Sequence, residues 1–143
     1  MFIGTYDNSI DAKNRVIIPA KFREELGYKV VLTVGIDKCL YLYPYSEWER
    51  FAIKLSALPI SDERARKFSR SFVANAEECE VDRQGRLTIP AKLRKIAGIS
   101  KELTTVGYMD KIEIWSREEY KNFEDDSLMQ GEQLAKGMLE YGI

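Results

Sequence analysis

The sequence predicts an α+β fold in which two tandem β-α-β repeats interlock about a pseudo-two-fold axis to share one core. Three observations carry this. Residues 10–23 read apolar-Asp-x-x-Asn-Arg-apolar-x-Ile-Pro-Ala-Lys-apolar-Arg, and residues 81–94 repeat that order with Gly85 in place of Asn14, at an offset of 71. Short β-type runs alternate with helix signals in both copies. Finally, a unit of about 70 residues is marginal alone, and two copies are too few for a solenoid, so the halves are expected to complete one core. Two independent beads on a string are the alternative.

Each element follows from local chemistry. Asn14 and Gly85 both tolerate φ > 0, so Asp11 to Arg15 and Asp82 to Arg86 read as exposed hairpin tips. Pro19 and Pro90 end a strand and open a short helix, on which Phe22 with Leu26, and Leu93 with Ala97, share a face. Gly27 and Gly98 close those helices. Residues 30–34 and 103–106 read as buried strands, with Val34-Gly35 matching Val106-Gly107 at an offset of 72. Residues 40–43 and 112–115 read as the returning strands, whose alternating Tyr41 and Tyr43 suit packing on a sheet face. Ser46 and Ser116, each with glutamate three residues on, read as capping boxes. Trp48, Phe51, Ala52 and Leu55 form a helical stripe. Ser61 opens a linker helix with apolar Ala65, Phe68 and Phe72. The tail after Asp125 places Leu134, Ala135, Met138 and Leu139 at helical spacing, although glycines at 131, 137 and 142 weaken it.

The predicted organisation is a first repeat over 1–55 (core about 5–47), a helical linker over 56–74, a second repeat over 75–124 (core about 76–119), and an acidic tail over 125–143.

Composition excludes several chemistries. The chain has 143 residues and no histidine, so it lacks Ser-His or Cys-His nucleophile pairs, a His general base and His metal ligands. Its two cysteines, Cys39 and Cys79, are far apart and cannot make a four-thiolate zinc site. Glu77-Glu78 and Asp125-Asp126 have no spaced partners and read as solvated acidic patches. No apolar run approaches the roughly 20 residues that cross a bilayer, and the N-terminus has no signal-peptide pattern. The expectation is a cytoplasmic protein that is not an enzyme, with no cofactor, no metal, no membrane and no small-molecule substrate.

A formal net charge of −1 at first argues against a nucleic-acid binder. The layout reverses that. Over 11–23, Lys13, Arg15, Lys21 and Arg23 oppose Asp11, a net +3; over 82–95, Arg83, Arg86, Lys92, Arg94 and Lys95 oppose Asp82, a net +4; over 117–143, three basic residues oppose seven acidic ones, a net −4. Basic exposed loops are the electrostatic footprint of phosphate binding. Arginine can hold a phosphate, or guanine O6 and N7, bidentately. An aspartate across the turn can hydrogen-bond the turn backbone or brace the guanidinium. For one copy, a turn aspartate and a weak surface ion pair would suffice as explanation. Two matched copies favour a pre-organised arginine.

The doubled motif, the N-terminal Met-Phe-x-Gly, Val106-Gly107 and residues 112–115 together resemble the MraZ family, within the wider AbrB and SpoVT group of swapped-hairpin DNA-binding domains. The resemblance spans roughly residues 1–123. It implies an interlocked swapped-hairpin β-barrel with flanking helices, and a bacterial, nucleoid-associated regulator linked to the promoter of its own division and cell-wall gene cluster. It also implies a ring-like homo-oligomer on double-stranded promoter DNA with repeated short sites. Carried over by position, DNA binding falls on Asp11, Lys13, Arg15 and Arg23, and on Asp82, Arg83, Arg86, Arg94 and Lys95. Asn14 stands where the family has glycine, and Glu24 stands where the second copy has Lys95. The expected function is a sequence-specific DNA-binding transcriptional regulator. The alternative is an antitoxin-like interaction scaffold whose basic face binds an acidic partner.

Overall fold

A computed structural model describes all 143 residues. The chain order is β1 (Thr5–Ser9), β2 (Arg15–Ile17), α1 (Ala20–Leu26), β3 (Lys29–Val34), β4 (Leu40–Pro44), α2 (Tyr45–Ser56), α3 (Glu63–Ala74), β5 (Glu77–Glu80), β6 (Arg86–Thr88), α4 (Ala91–Ala97), β7 (Glu102–Tyr108), β8 (Lys111–Ser116), α5 (Arg117–Met129) and α6 (Gly131–Gly137), with a closing 3₁₀ turn at Met138–Tyr141. The fold is α+β.

Six antiparallel strands form one sheet in the order β1-β7-β8-β4-β3-β5, and β2 pairs with β6 in a separate two-stranded ribbon. Reading β1, β3 and β4 as counterparts of β5, β7 and β8, that order is a palindrome. The first strand of each repeat pairs with the other repeat, β1 on β7 and β5 on β3. Two pairings place residues opposite their own counterparts: Val16 on Leu87 in the ribbon, and Tyr41 on Glu113 in the sheet. The pseudo-two-fold axis therefore passes through both pairs.

Strand alternation sorts the side chains. Val30, Leu32, Leu40, Leu42, Leu103, Ile112 and Ile114 face the ribbon's Val16, Ile18, Leu87 and Ile89, with Phe22, Leu26, Leu93 and Ala97 from the short helices completing a single core. On the opposite sheet face, Tyr43 stacks on Phe51 at 5.5 Å and Tyr41 on Phe72 at 6.3 Å, beneath α2 and α3. Trp115 meets Tyr120 and Phe123 of α5 at 5.4 and 5.0 Å.

Several expectations need correction. The sheet does not close into a barrel. β2 and β6 leave it to pair with each other, so β1 and β5 remain as edges, and Glu77, Glu78 and Glu80 on β5 suit an edge that resists further pairing. The hairpins are only tips: β1 and β2 join at the turn and then part to strands of the other repeat. The Val34-Gly35 and Val106-Gly107 match is out of register by one residue. Thr33 pairs with Tyr41 where Val106 pairs with Glu113, and Leu32 with Glu77 where Thr105 pairs with Tyr6, so the strand offset is 73. Two extra residues precede β7, and the following turn is one shorter.

Capping also differs. Ser116 caps α5, its Oγ accepting from the Glu119 amide at 3.1 Å, but α2 starts directly from the strand with Pro44 at its cap and Ser46 already helical. Asp62 rather than Ser61 caps α3, accepting from the Arg64 amide at 2.9 Å. Pro19 and Pro90 occupy the caps of α1 and α4, one residue before the first helical turn.

Candidate nucleic-acid interface

The two Asp-x-x-x-Arg segments have one geometry. In the first, the Asp11 amide donates to the Arg15 carbonyl and the Asn14 amide to the Asp11 carbonyl, both at 2.9 Å. In the second, Asp82 donates to Arg86 at 3.0 Å and Gly85 to Asp82 at 2.9 Å. Each is a three-residue loop whose last residue is left-handed, Asn14 at φ 62 and Gly85 at φ 77. That backbone requirement is why asparagine and glycine are interchangeable there.

Each aspartate performs both tasks that the sequence left open. Asp11 Oδ1 accepts from the Lys13 and Arg15 amides, each at 2.9 Å, and its Oδ2 accepts from Arg15 Nε at 2.8 Å. Asp82 Oδ1 accepts from the Gln84 and Arg86 amides at 2.9 and 2.8 Å, and its Oδ2 from Arg86 Nε at 2.7 Å. The arginine amide in each turn, with the guanidinium beside it, holds the Asp11 and Asp82 carboxyls below the ordinary carboxylate value. Because Nε takes the brace, both terminal nitrogens of each guanidinium stay free of protein acceptors. A planar fork with two unpaired donors is suited to phosphate or to a base edge.

The ribbon sets the spacing of the two arginines. Arg15 lies opposite Thr88, and Ile17 opposite Arg86, with Val16 and Leu87 between them pointing into the core. Arg15, Ile17, Arg86 and Thr88 therefore share the outer face, the arginines on diagonal positions roughly 7–8 Å apart at the backbone. Ile17, 53% exposed, and Thr88 complete this face. Sequence reading leaves both out, although their alternation with Val16 and Leu87 is the signal that could have found them.

The other basic residues divide into two groups. Lys13, Arg83 and Lys95 are exposed and form no ion pair. Arg23 and Arg94 turn partly inward: Arg23 Nε donates to the Ile18 carbonyl at 2.9 Å, and Arg94 Nη1 donates to the Ile89 carbonyl. Arg23 also lies across the other repeat's turn, since a Cβ on Gly85 would meet its Cζ and Nε at 2.3 Å. The repeats clasp one another here. The Ile18 amide donates to the Gly85 carbonyl at 2.7 Å, and the Ile89 amide to the Asn14 carbonyl at 2.9 Å. Each tip is held by the partner repeat, which rigidifies both arginines before any ligand arrives.

No group of three or more histidine, cysteine or carboxylate side chains lies close enough to hold a metal ion, and no helix is long and apolar enough to cross a membrane. Cys39 is buried and Cys79 half-buried, both as free thiols, and burial raises each thiol's pKa.

Comparison with known proteins agrees with the internal symmetry. The family described as "MraZ protein, putative antitoxin-like" matches twice, at residues 1–71 and 72–139. The chain is 48% identical over 143 residues to a protein named "Transcriptional regulator MraZ" from Clostridium tetani, with all of both chains covered. Proteins of the same name from Thermoanaerobacter sp. and Halothermothrix orenii are 46% and 45% identical, again with full coverage of both chains.

Proposed function

The chain belongs to the MraZ family, and from that premise we propose that it is a sequence-specific DNA-binding transcriptional regulator acting at a promoter. The observation that carries this is the pair of braced arginines, Arg15 and Arg86, symmetric about Val16 and Leu87 on one exposed ribbon face. A two-stranded ribbon fits the major groove of B-DNA. Arg15 and Arg86 reach base edges, Asp11 and Asp82 hold them, and Lys13, Arg83 and Lys95 take phosphates. Arg23 and Arg94 position the tips and offer their remaining guanidinium nitrogens to the backbone.

The exchange of β1 and β5 between repeats supports reading the fold as the swapped-hairpin type, in two domains over 1–55 and 75–124 joined by a linker over 56–74 and followed by the tail over 125–143. Family membership makes the promoter of its own division and cell-wall gene cluster the first target to test, with the protein associated with the nucleoid. A net charge of −1 gives the whole molecule no attraction to DNA. Affinity therefore depends on local placement and on several copies binding together, as a ring-like homo-oligomer over repeated short sites would arrange.

The test is fluorescence anisotropy with promoter and scrambled duplexes over a salt series. Affinity should fall linearly in log–log form with salt and differ between the duplexes. Arg15→Ala and Arg86→Ala should each cost about 1–3 kcal/mol per base-reading contact, seen chiefly on the promoter duplex. Equal affinity for both duplexes, unchanged in the double variant, would overturn the reading and favour the antitoxin-like scaffold that the family's description allows.

A further inference from the structure

We propose that the C-terminal segment 124–143 docks, from a second copy of this chain, into the groove between α2 and α3. This rests on the self-association proposed above and specifies the surfaces that carry it.

The segment ends in α6 and a 3₁₀ turn whose apolar side chains nothing in the chain covers. Every residue from 128 to 143 is exposed. Leu128 is 76% exposed and Leu139 69%, and Leu134 and Met138, four residues apart, are exposed beside them. Glu132 and Lys136 of α6 pair with each other at 3.7 Å. Uncovered apolar side chains clustered on a terminal helical segment mark an interaction surface.

The chain has a groove of fitting chemistry. Between α2 and α3 lies a cleft of about 480 Å³ lined by Ala52, Leu55, Ile60 and Val73, with Arg66 and Arg70 at its rim. Arg70 has no ion-pair or hydrogen-bond partner in its own chain, whereas Arg64 and Lys67 of the same helix are paired with Asp62 and Glu63. Helix α3 carries four basic residues against Glu63, and segment 124–143 carries five acidic residues against Lys136. Charge also selects this groove over a larger one. The cleft of about 810 Å³ beside Met1 and α2 sets Glu25, Glu47 and Asp110 against Arg50, Lys54 and the Met1 ammonium and is neutral, so it attracts an acidic arm less than the purely basic α2–α3 groove does.

The arm does not sit in its own groove, since every residue from 128 to 143 is exposed. α5, from which it extends, packs on β7 and β8, whereas α2 and α3 pack on β3 and β4. Arm-to-groove contact is heterologous: a joined pair still offers one free arm and one free groove, on different chains, so assembly continues until it closes on itself.

The test uses the full chain in sedimentation velocity and light scattering. The parent should sediment as a multi-chain species. An arm variant, Leu134→Glu with Leu139→Glu, and a groove variant, Arg70→Glu with Val73→Glu, should each fall to the 16.5 kDa monomer. All four side chains are exposed, so circular dichroism should match the parent. Mixed together, the two variants retain one good arm and one good groove and should form a 1:1 heterodimer, a recovery that general misfolding could not produce. Variants that keep the parental mass, or a mixture that stays monomeric, would overturn the arm-to-groove contact alone. A monomeric parent would overturn self-association as well.

Discussion

Thr105 and its neighbours offer a test of the repeat register in which adjacent, chemically identical substitutions should move stability in opposite directions. With the strand offset at 73, Thr105 occupies in the second repeat the core position that Leu32 fills in the first. It is 1% exposed, and its Oγ1 has no hydrogen-bond partner. Thr104, one residue earlier, points to the other face and donates to Asp7 Oδ1 at 2.8 Å. An unsatisfied buried hydroxyl costs roughly 1–3 kcal/mol, and valine has the same shape without it. Thr105→Val should therefore stabilise the chain by about 1 kcal/mol or more, raising Tm by about 3–4 °C for a chain of this size. The urea midpoint should move up with an unchanged slope. Thr104→Val should lose about 1 kcal/mol, because its hydrogen bond goes with the hydroxyl. Both variants and the parent are compared at one chain concentration, since assembly contributes to apparent stability. A Thr105→Val protein no more stable than the parent would refute the register argument.

Three further outcomes follow from the same geometry. Asp82→Asn removes a negative charge from the proposed DNA face, so simple electrostatics expects tighter binding; because the aspartate braces Arg86 through Nε, we expect weaker and less selective binding in the anisotropy titration. Gly85→Ala forces a Cβ against the Arg23 guanidinium at φ 77 and should cost about 1–2 kcal/mol from the left-handed backbone alone, measured by thermal unfolding, whereas Asn14→Gly should be near neutral. Burial raises the Glu113 carboxyl above its ordinary 4.5, against a lowering hydrogen bond from Trp115 Nε1 at 3.1 Å. The parent is thus stabilised below pH 4.5 relative to higher pH and loses that increment as pH rises through the raised value. Glu113→Gln should be more stable than the parent at pH 7 and lose its advantage below pH 4.5 in a pH series of unfolding curves.

Much of this architecture is local and therefore legible in the residues. The Asp-x-x-x-Arg turns are written in hydrogen bonds between residues no more than four apart, and the Trp48-Phe51-Leu55 stripe in helical spacing. What escapes is long-range. Val34-Gly35 and Val106-Gly107 look equivalent because the dipeptides match, but pairing to strands on either side shifts them by a residue. Arg23 and Arg94 look like free cations because their partners, the carbonyls of Ile18 and Ile89, are ordinary backbone groups, and the turn that Arg23 covers belongs to the other repeat. Ser46 looks like a cap because it matches the Ser-x-x-Glu pattern, but the structural counterpart of the capping Ser116 is Pro44.

Joining both halves in one chain has a chemical consequence that a true two-fold dimer could not have. On a real axis Val16 would face valine and Tyr41 would face tyrosine; here they face Leu87 and Glu113. Each half has diverged while the braced Asp–Arg pair has stayed the same. Several neighbours of that pair nonetheless differ: Ala12 against Arg83, Lys13 against Gln84, Ile17 against Thr88, Glu24 against Lys95. The backbone thus presents two equivalent arginines in unequal surroundings, net +2 over residues 11–24 and net +4 over the matching residues 82–95. In the proposed reading the module has a polarity on the duplex. It would grip more firmly through the second turn, and the first, with a bulky apolar Ile17 beside its arginine and a carboxylate at Glu24, would contribute more to discrimination than to affinity.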